Sequence, residues 1–507
     1  TQANSHPHLD CKKRIAVVHN GIVENFDVLK KELQKKGHKF LSTTDSEVIS
    51  HLIEEFLKTR GFASAVRDAF NKLQGMNAIV VANASSKEII AAKTGSPLVI
   101  GVSSDALYVA SDATSILPNT KKLLFLKDNQ MAILGEKIQL LSLPDGKKLK
   151  IKLETINWKP TSASKKNFPH FMLKEIYEQP EIIRNIASTY QVQVKSLAQT
   201  IKKAKGTFFI GAGTASYAGI VGTYFFSKIS GLHVNMSFAS EFTYLLDFIN
   251  SKSLVVALSQ SGETIDVVEP LTRVKEKGAT IASLVNTEGS TIFRMSDKSI
   301  LLGAGPEGAV ASTKAYTAKL SILLMLAYEM KGDLKTAATQ LLNAATEIER
   351  LLKQKNKLKP IINLLAKSEH IYVIGRGVSF PSALEAALKI KEVSYIHAEG
   401  LAGGELKHGV MALVSKGIPY IVFAPMDETY QAMISNAIEI KSRGGIIIGI
   451  GPKKEDVFDH WIEVRDCVDA TAIAQIVPVQ LLAYFLSVKK GYDPDKPRNL
   501  AKSVTVK

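Results

Sequence analysis

Hydroxyl-bearing residues at the end of an apolar stretch form the most informative chemical pattern in the sequence. Residues 253–264 read Ser-Leu-Val-Val-Ala-Leu-Ser-Gln-Ser-Gly-Glu-Thr, and an amphipathic stretch follows at 265–277. This order predicts a strand, a short polar loop and the start of a helix. The first N–H groups of a helix lack internal partners and lie at the positive end of its dipole, so they can bind an anion.

The side chains of this loop favour a compact anion. Ser259, Ser261 and Thr264 would add hydroxyl donors, and Gly262 would let a ligand come close to the backbone. The loop lacks the glycine–lysine pattern of a nucleotide P-loop, so a sugar phosphate fits it better than a nucleotide. A capped helix that binds nothing is the alternative, because Ser and Thr are common helix caps.

Three charged residues share one face of a later predicted helix. Glu385, Lys389 and Glu392 lie at spacings i, i+4 and i+7 among strongly apolar neighbours. A surface ion pair is the simple interpretation. The alternative is an acid–base pair that faces a cleft, because buried charges usually have a task. His408, between glycines, is either a general acid–base or an ordinary polar residue.

Two further patterns leave their alternatives open. The basic tail at 497–503 is of a kind that is commonly disordered, but Lys502 could instead fold over a site and form a Schiff base. Asn20 and Gly21 follow a short predicted strand and are typical of a hairpin turn. An oxyanion hole, formed by the Asn20 amide and the Gly21 N–H, is the sharper possibility.

Composition excludes several classes of protein. The chain has 507 residues, of which 46% are hydrophobic and 22% charged, and this predicts three or four globular domains. The net charge of +16 could indicate nucleic acid, but the lysines are scattered among acidic residues and no RNA-binding signature occurs. No apolar run approaches the ~20 residues of a membrane span. With no secretion signal either, we expect a cytoplasmic protein without membrane partners.

Cysteine usage argues against metal and disulfide chemistry. The two cysteines, Cys11 and Cys467, are too few for a disulfide framework or a cysteine-rich metal site. A reducing compartment is the default for such a chain. We therefore expect no metal and no cofactor.

The pattern of elements changes once along the chain. Residues 1–158 predict an α+β unit, with helices at 28–36 and 46–58 and short, mostly antiparallel strands. Residues 159–168 are small and polar, and predict a linker. After them, strands alternate with long helices, which is typical of parallel α/β sheets.

An internal repeat divides this second part. The strand at 207–210 leads into Gly-Ala-Gly-Thr, and the strand at 371–374 leads into Gly-Arg-Gly-Val at a similar distance from the next loop. We predict two copies of one doubly wound domain, at 180–335 and 350–497, followed by the tail 498–507. Pro425 and Met426 replace the loop serines in the second copy, so only the first copy should hold a phosphate.

These segments together resemble the isomerising glutamine–fructose-6-phosphate aminotransferases over essentially the whole chain. The matching segments lie in order at 174–180, 258–264, 310–314, 394–399, 404–409 and 499–506. The resemblance implies a partial N-terminal-nucleophile (class II) glutaminase domain of α+β type, followed by two doubly wound sugar-isomerase (SIS) domains. It also implies amino-sugar synthesis from fructose 6-phosphate.

The resemblance assigns roles in the sugar half. It implies that fructose 6-phosphate is bound by the residues Thr214, Ser259, Gln260, Ser261, Thr264, Val310, Ser312 and Ala501. Lys502 matches the lysine that forms a Schiff base with the C2 carbonyl, and Glu392 matches the base that moves a proton between C1 and C2. Lys389 supports that base. His408 matches a ring-opening histidine from the neighbouring subunit, which implies a homodimer.

The glutaminase half matches the family in part. Asn20 and Gly21 match the oxyanion hole, and Asp45 matches the residue that holds the amino group of glutamine. The family's nucleophilic N-terminal cysteine and several tens of residues after it have no counterpart, and Cys11 falls where the family has no nucleophile. We therefore expect the chain as given to use ammonia rather than glutamine.

The sequence differs from the family pattern at one position of the expected sugar site. The family usually has Gly-Thr-Ser-Tyr where this chain has Gly-Thr-Ala-Ser, so Ala215 lacks a hydroxyl that would contact the sugar phosphate. The loss of one hydrogen bond predicts an affinity lower by about 1 kcal/mol.

Two alternative functions follow from the same domains. One is a related SIS deglycase or isomerase that acts on sugar phosphates, and the fused glutaminase segment argues against it. The other is a non-catalytic sugar-phosphate sensor. A sensor would not need Glu392, His408 and Lys502 together, so we expect an enzyme.

Overall fold

A computed structural model of the chain describes residues 2–156 and 164–502. Part of the predicted linker at 159–168 and the end of the tail lie outside these described residues.

Residues 2–156 form two antiparallel sheets and three α-helices. The strands are β1 (His8–Leu9), β2 (Ile15–Gly21), β3 (Asn77–Asn83), β4 (Ile89–Thr94), β5 (Val99–Val102), β6 (Leu107–Ala110), β7 (Lys122–Phe125), β8 (Gln130–Leu134), β9 (Ile138–Ser142), β10 (Lys148–Leu149) and β11 (Glu154–Thr155). The helices are α1 (Phe26–Lys35), α2 (Glu47–Leu57) and α3 (Phe62–Phe70). The predicted α+β unit and both predicted helices are confirmed.

These elements pack in three layers. The larger sheet has the order β1-β2-β3-β4-β8-β9-β10, and the smaller one has the order β11-β7-β5-β6. One face of the larger sheet, with Val17 and Ile79, packs against α1, α2 and α3. The opposite face, with Ala78 and Ala91, packs against Ile100 of the smaller sheet. Because successive residues of a strand face opposite sides, β3 and β4 contribute to both cores.

The predicted hairpin turn at Asn20 and Gly21 is wrong. Strand β2 runs through both residues and pairs with β3, with His19 opposite Ile79 and Gly21 opposite Asn77. The chain then continues into α1 instead of folding back on β2. A Cβ on Gly21 would lie 2.2 Å from the carbonyl oxygen of Met76, so close packing against the neighbouring strand explains this glycine.

The rest of the described chain contains two parallel five-stranded sheets. Their strands are β12 (Gly206–Gly211), β13 (Asn235–Phe238), β14 (Ser253–Ser259), β15 (Thr280–Val285), β16 (Lys298–Leu301), β17 (His370–Gly375), β18 (His397–Ala402), β19 (Pro419–Phe423), β20 (Ile446–Gly451) and β21 (His460–Glu463). The helices are α4 (Phe171–Thr189), α5 (Gln191–Lys203), α6 (Thr214–Phe225), α7 (Ala239–Phe242), α8 (Ile265–Glu276), α9 (Thr291–Met295), α10 (Lys314–Lys331), α11 (Leu334–Lys353), α12 (Lys359–Leu365), α13 (Ser379–Ser394), α14 (Tyr430–Lys441), α15 (Thr471–Gln475) and α16 (Val477–Lys489).

The two sheets confirm the predicted repeat. Their orders are β13-β12-β14-β15-β16 and β18-β17-β19-β20-β21, so each copy has its first strand between its second and third. All of these pairings are parallel. The connecting helices cover the sheets, and one large apolar core joins both copies through α4, α6, α10, α11, α13 and α16.

One apolar stretch is longer than the sequence predicted. The helical segment Val468–Lys489 is long and apolar enough to cross a membrane by length and composition, which corrects the expectation that no run approaches that length. It is 89% buried over its most apolar window. Its α16 part packs against α13 and α4. Burial between helices of the protein accounts for this composition.

Candidate active site

The hydroxyl-rich loop lies at the point where the strand order of the first parallel sheet reverses. Connections leave β12 and β14 on opposite sides here, which opens a crevice beyond their carboxyl ends. Ser259 ends β14, and Ser261 and Thr264 lie in the loop that follows it. Thr214 begins α6, directly after the loop that follows β12. The fold therefore brings together the two loops that the sequence analysis assigned to the sugar phosphate.

Internal hydrogen bonds shape the loop after β14. The Ser259 hydroxyl accepts the N–H of Gly262 at 3.0 Å and lies 3.2 Å from the Thr264 hydroxyl. The Ser261 hydroxyl accepts the N–H of Glu263 at 3.1 Å. Gly262 has φ +70°, and a Cβ there would lie 2.0 Å from the Ser290 hydroxyl. The turn therefore requires glycine, and it directs the loop into the start of α8.

Helix α8 begins with an uncapped end. Thr264 is its N-cap residue, yet the Thr264 side chain accepts no capping hydrogen bond from the helix. Ser259 is buried, whereas Gln260, Ser261 and Thr264 are half-buried. A helix start without a side-chain cap, next to half-buried hydroxyl groups, suits a phosphate.

The start of α6 offers fewer hydroxyl groups to a ligand than the family pattern does. Thr214 donates its hydroxyl to Glu385 at 3.3 Å, which links the first SIS copy to the second. Ser216 is fully buried and donates to the Gly211 carbonyl at 2.7 Å. Ser216 therefore does not replace the hydroxyl that is missing at Ala215.

The charged face of α13 is buried. Lys389 is 0% exposed and lies 3.6 Å from Glu385, which is also 0% exposed, while the Lys389 ammonium donates to Glu392. Only Glu392, with a side chain 20% exposed, reaches a solvent-accessible surface. The surface ion pair that the sequence allowed is therefore excluded, and the helix holds a buried carboxylate–ammonium–carboxylate array.

Lys502 lies in a second charged cluster. Its ammonium donates to Glu307 at 3.1 Å and to the Ala309 carbonyl at 2.6 Å. Glu307 is buried, and it also accepts the Ser312 hydroxyl and the N–H groups of Thr313 and Ala315. The described part of the tail thus folds back onto the first SIS copy.

Three residues of this cluster were not predicted from the sequence. Glu307, which holds Lys502, stands in a short glycine-rich loop before α10. Lys319 is buried within α10. A lysine inside an apolar helix was the sequence signal that could have identified it. Glu175, on α4, is buried and accepts the N–H of Gly308.

Burial and neighbouring charges set the protonation of these groups. Burial raises the pKa of Glu385 to about 7, although Lys389 opposes the shift. Burial lowers the pKa of Lys319 to about 8, against the attraction of Glu307. Burial acts to raise the pKa of Glu307, but Lys502 and Lys319 hold it below its ordinary value. Burial and the Glu307 charge raise the pKa of Glu175.

The remaining predicted sugar-site residues lie near the tail or at the surface. Val310 and Ser312 follow Glu307 and are half-buried, and Ala501 precedes Lys502 and is exposed. His408 is exposed just after β18. Within the described ranges, His408 makes no hydrogen bond or ion pair with Lys502, Glu392 or Glu307.

The glutaminase residues lie together in the first part of the chain. Asp45 accepts the N–H of Val23 at 2.7 Å, which fixes the turn that follows Asn20 and Gly21. His19 is buried between Ser46 and Asn77, at 2.8 and 2.9 Å. All three predicted residues, Asn20, Gly21 and Asp45, are partly exposed and could contact a ligand.

Comparisons with known proteins identify the class and then the family. Residues 1–118 match the glutamine amidotransferase domain, and residues 200–328 and 364–484 match the SIS domain. The molecule is therefore an amidotransferase fused to a pair of SIS domains. It is 41% identical over 99% of its length to the glutamine–fructose-6-phosphate aminotransferase (isomerizing) of Thermococcus kodakarensis, and covers 86% of that relative.

Further relatives agree. The corresponding enzyme of Thermus thermophilus is 39% identical over the whole chain and is covered to 87%. The C-terminal domain of the Francisella tularensis glucosamine–fructose-6-phosphate aminotransferase superposes with a TM-score of 0.62 at 32% identity. It covers 66% of this chain and is itself covered completely. The chain belongs to the family of isomerising glutamine–fructose-6-phosphate aminotransferases.

Proposed function

We propose that the protein converts fructose 6-phosphate to glucosamine 6-phosphate, with nitrogen from glutamine or ammonia. The observation that carries this proposal is the position of Lys502. A tail lysine is held by the buried carboxylate of Glu307, on the same SIS copy as the hydroxyl-rich loop. An amine, a base and a phosphate site are the parts that this conversion needs.

Lys502 provides the amine. In its neutral form, the Nζ atom attacks the C2 carbonyl of the open-chain sugar and water leaves, which gives an imine. Glu307 and the Ala309 carbonyl hold Nζ in place before substrate arrives. Ammonia then replaces the lysine nitrogen at C2 and frees Lys502.

Glu392 provides the base. It is the accessible carboxylate of the α13 array, and transfer of a proton from C1 to C2 converts the ketose skeleton to the aldose. The Lys389 ammonium donates a hydrogen bond to it, while the buried Glu385 lies 3.6 Å from Lys389 on the same helix. The array thus presents one carboxylate to the substrate on a rigid helix.

The phosphate would lie on the loop after β14. Ser261, Thr264 and the first N–H groups of α8 would donate to it, with Gln260 and Thr214 at the edge. Val310, Ser312 and Ala501 would line the sugar between this loop and Lys502. Asn20, Gly21 and Asp45 would bind glutamine in the amidotransferase half. We further propose a cytoplasmic homodimer in which His408 opens the sugar ring in the neighbouring subunit.

The deciding experiment measures glucosamine 6-phosphate made from fructose 6-phosphate with ammonium or with glutamine. We expect product with ammonium, and its loss by at least about a thousandfold in Lys502→Ala, because the covalent step disappears. Lys496→Ala is the matched control, since Lys496 is an exposed lysine just before the tail and should retain full activity.

Other outcomes would select the alternatives. Tight fructose 6-phosphate binding without turnover in the wild-type protein would indicate a sensor. Interconversion of sugar phosphates without nitrogen incorporation would indicate an isomerase. Either result contradicts the proposed synthase.

A further inference from the structure

A compact group of metal-ligating side chains lies in the amidotransferase half and includes none of Asn20, Gly21 and Asp45. It consists of Cys11, His38, His51 and Glu54, and is called the Cys–His cluster below. One ligand atom from each residue lies within 4.8 Å of the others. His38, His51 and Glu54 are buried, and Cys11 closes the group from the surface.

The spacing of these atoms is that of a tetrahedral zinc site. Zinc bonds of about 2.3 Å to sulfur and 2.0 Å to nitrogen place sulfur and nitrogen about 3.5 Å apart in a tetrahedron. The Cys11 Sγ atom lies 3.5 Å from Nδ1 of His51 and 3.7 Å from Nδ1 of His38.

The Glu54 carboxylate also fits a tetrahedral arrangement. Two ligands with bonds of about 2.0 Å are separated by about 3.3 Å in a tetrahedron. Oε2 of Glu54 lies 3.1 Å from Nδ1 of His38 and 3.6 Å from Nδ1 of His51. These four separations thus fall within a few tenths of an ångström of tetrahedral edges.

A second layer of carboxylates orients both imidazoles. Nε2 of His38 lies 3.0 Å from Glu55, and Nε2 of His51 lies 3.4 Å from Glu47. Glu47 is itself fixed by the N–H groups of Leu41 and Ser42, both at 2.7 Å. When each Nε2 donates its proton to a carboxylate, both Nδ1 lone pairs point to the centre, as in carboxylate–histidine–zinc arrangements.

The arrangement of ligand atoms in the Cys–His cluster favours a bound cation. With both protons on Nε2, two imidazole lone pairs, a carboxylate and a sulfur atom surround one point, and they repel each other without a positive charge between them. We propose that the Cys–His cluster binds one Zn²⁺ ion as a structural site, with Cys11 as the thiolate. Four protein ligands leave no open position, which is typical of structural rather than catalytic zinc.

The ion would join three segments of the chain. Cys11 lies in the turn between β1 and β2, His38 follows α1, and His51 and Glu54 lie on α2. Strand β2 ends in Asn20 and Gly21, and Asp45 lies two residues before α2. The proposed zinc therefore stabilises the elements that carry the glutamine-binding residues, and it is independent of the sugar chemistry.

The proposed zinc site departs from the expectation of no metal. That expectation counted cysteines, whereas a site with two histidines and a glutamate needs only one thiolate. The sequence did not reveal this ligand set, because Cys11 and His38 lie on different loops, far apart along the chain.

The test is the metal content of the full-length protein, purified without a histidine tag or chelator. We expect one zinc per chain by elemental analysis, in wild type and in Cys467→Ser. Cys467 is the matched control because it is buried in the second SIS copy, far along the chain from the cluster. Cys11→Ser and His51→Ala should reduce the zinc content at least about tenfold.

A second measurement does not depend on the variants folding. Metal-free wild-type protein titrated with Co²⁺ should develop a thiolate-to-cobalt charge-transfer band and the strong visible bands of tetrahedral Co²⁺, and Zn²⁺ should abolish both. Protein without zinc that also fails to bind Co²⁺ or Zn²⁺ would overturn the proposal. So would undiminished zinc content in a folded Cys11→Ser protein that retains ammonia-dependent activity.

Discussion

At the scale of single residues, the buried array on α13 links chemistry to stability. Glu385 has its pKa raised to about 7 by burial, compared with 4.5 for an ordinary glutamate. Between these pH values the folded chain binds a proton that the unfolded chain does not, so the array lowers stability as the pH rises through this window. The same carboxyl lies 3.6 Å from Lys389, which donates to Glu392.

Glu385→Gln should therefore stabilise the fold at alkaline pH. The neutral amide can still accept the Thr214 hydroxyl, and the gain in free energy of unfolding should approach about 3 kcal/mol above pH ~7 and vanish below pH ~4.5. Urea denaturation across this range, followed by circular dichroism, measures it. Glu405→Gln, at an exposed position, should show no comparable gain. A pH-independent difference for Glu385→Gln would contradict the argument.

A second residue tests the substrate assignment. Ala215→Ser restores the hydroxyl that the family usually has at the start of α6, and Ser216 is already committed to the Gly211 carbonyl. One added hydrogen bond to phosphate should lower KM for fructose 6-phosphate about fivefold, with kcat little changed. Steady-state kinetics with ammonium measures this. An unchanged KM would mean that the phosphate does not reach α6.

At the scale of elements, the loop after β14 depends on the conformation of one glycine. In Gly262→Ala the new Cβ would meet the Ser290 hydroxyl at 2.0 Å, in addition to the strain of φ +70°. Gly278→Ala is the matched control, because φ is +72° and the nearest atom would be 3.7 Å away. Left-handed strain alone costs about 1–2 kcal/mol.

We expect the two variants to differ clearly. Gly278→Ala should lower the free energy of unfolding by about 1–2 kcal/mol and leave KM unchanged. Gly262→Ala should also displace the loop and raise KM for fructose 6-phosphate at least about tenfold. Thermal unfolding and steady-state kinetics of both proteins provide the comparison. Equal KM values would show that this loop does not bind the phosphate.

The elements were largely predictable from sequence periodicity. The apolar run before Ser259 and the amphipathic stretch after Thr264 became β14 and α8, because a parallel strand is buried on both faces and its helix on one. The Asn20-Gly21 turn failed for a physical reason. Its strand pairs with β3, some sixty residues away, and local turn preference carries no information about such a partner.

From periodicity alone, the candidate site was predictable only where its residues share an element. Glu385, Lys389 and Glu392 repeat at helical spacing, so one helix brings them together. Glu307 and Lys319 join Lys502 from nearly two hundred residues away, and the Cys–His cluster joins two loops to α2. Such contacts depend on how elements pack, which periodicity does not encode.

At the scale of the whole molecule, the two SIS copies share the proposed site unequally. The first copy supplies the phosphate loop and Glu307, and the second supplies the α13 array, with Thr214 and Glu385 in contact between them. In the second copy, Pro425 and Met426 stand where the serines of the first loop lie, and they line a cavity of 590 Å³ with Asp427 and Glu428. Lys228 lines the same cavity but pairs with Glu428 at 3.0 Å, and the other carboxylates, such as Asp427, disfavour a phosphate there.

The exposed position of His408 leads to a prediction about assembly. If each active site takes Lys502 from one subunit and His408 from the other, His408→Ala and Lys502→Ala should each abolish activity. The two substitutions then remove residues that different subunits contribute to the same site. In a symmetric dimer, mixing the two inactive proteins after subunit exchange forms hybrids in which one of the two sites is intact. Equal amounts should then recover roughly a quarter of the wild-type activity with ammonium.

The control for this experiment is the double variant His408→Ala/Lys502→Ala mixed with either single variant. No hybrid in that mixture contains an intact site, so activity should stay at background under the same exchange conditions. Analytical ultracentrifugation must show dimers in every mixture. Background activity in the complementation mixture, despite exchange shown by mass spectrometry of labelled subunits, would place His408 in the site of its own chain or outside the chemistry.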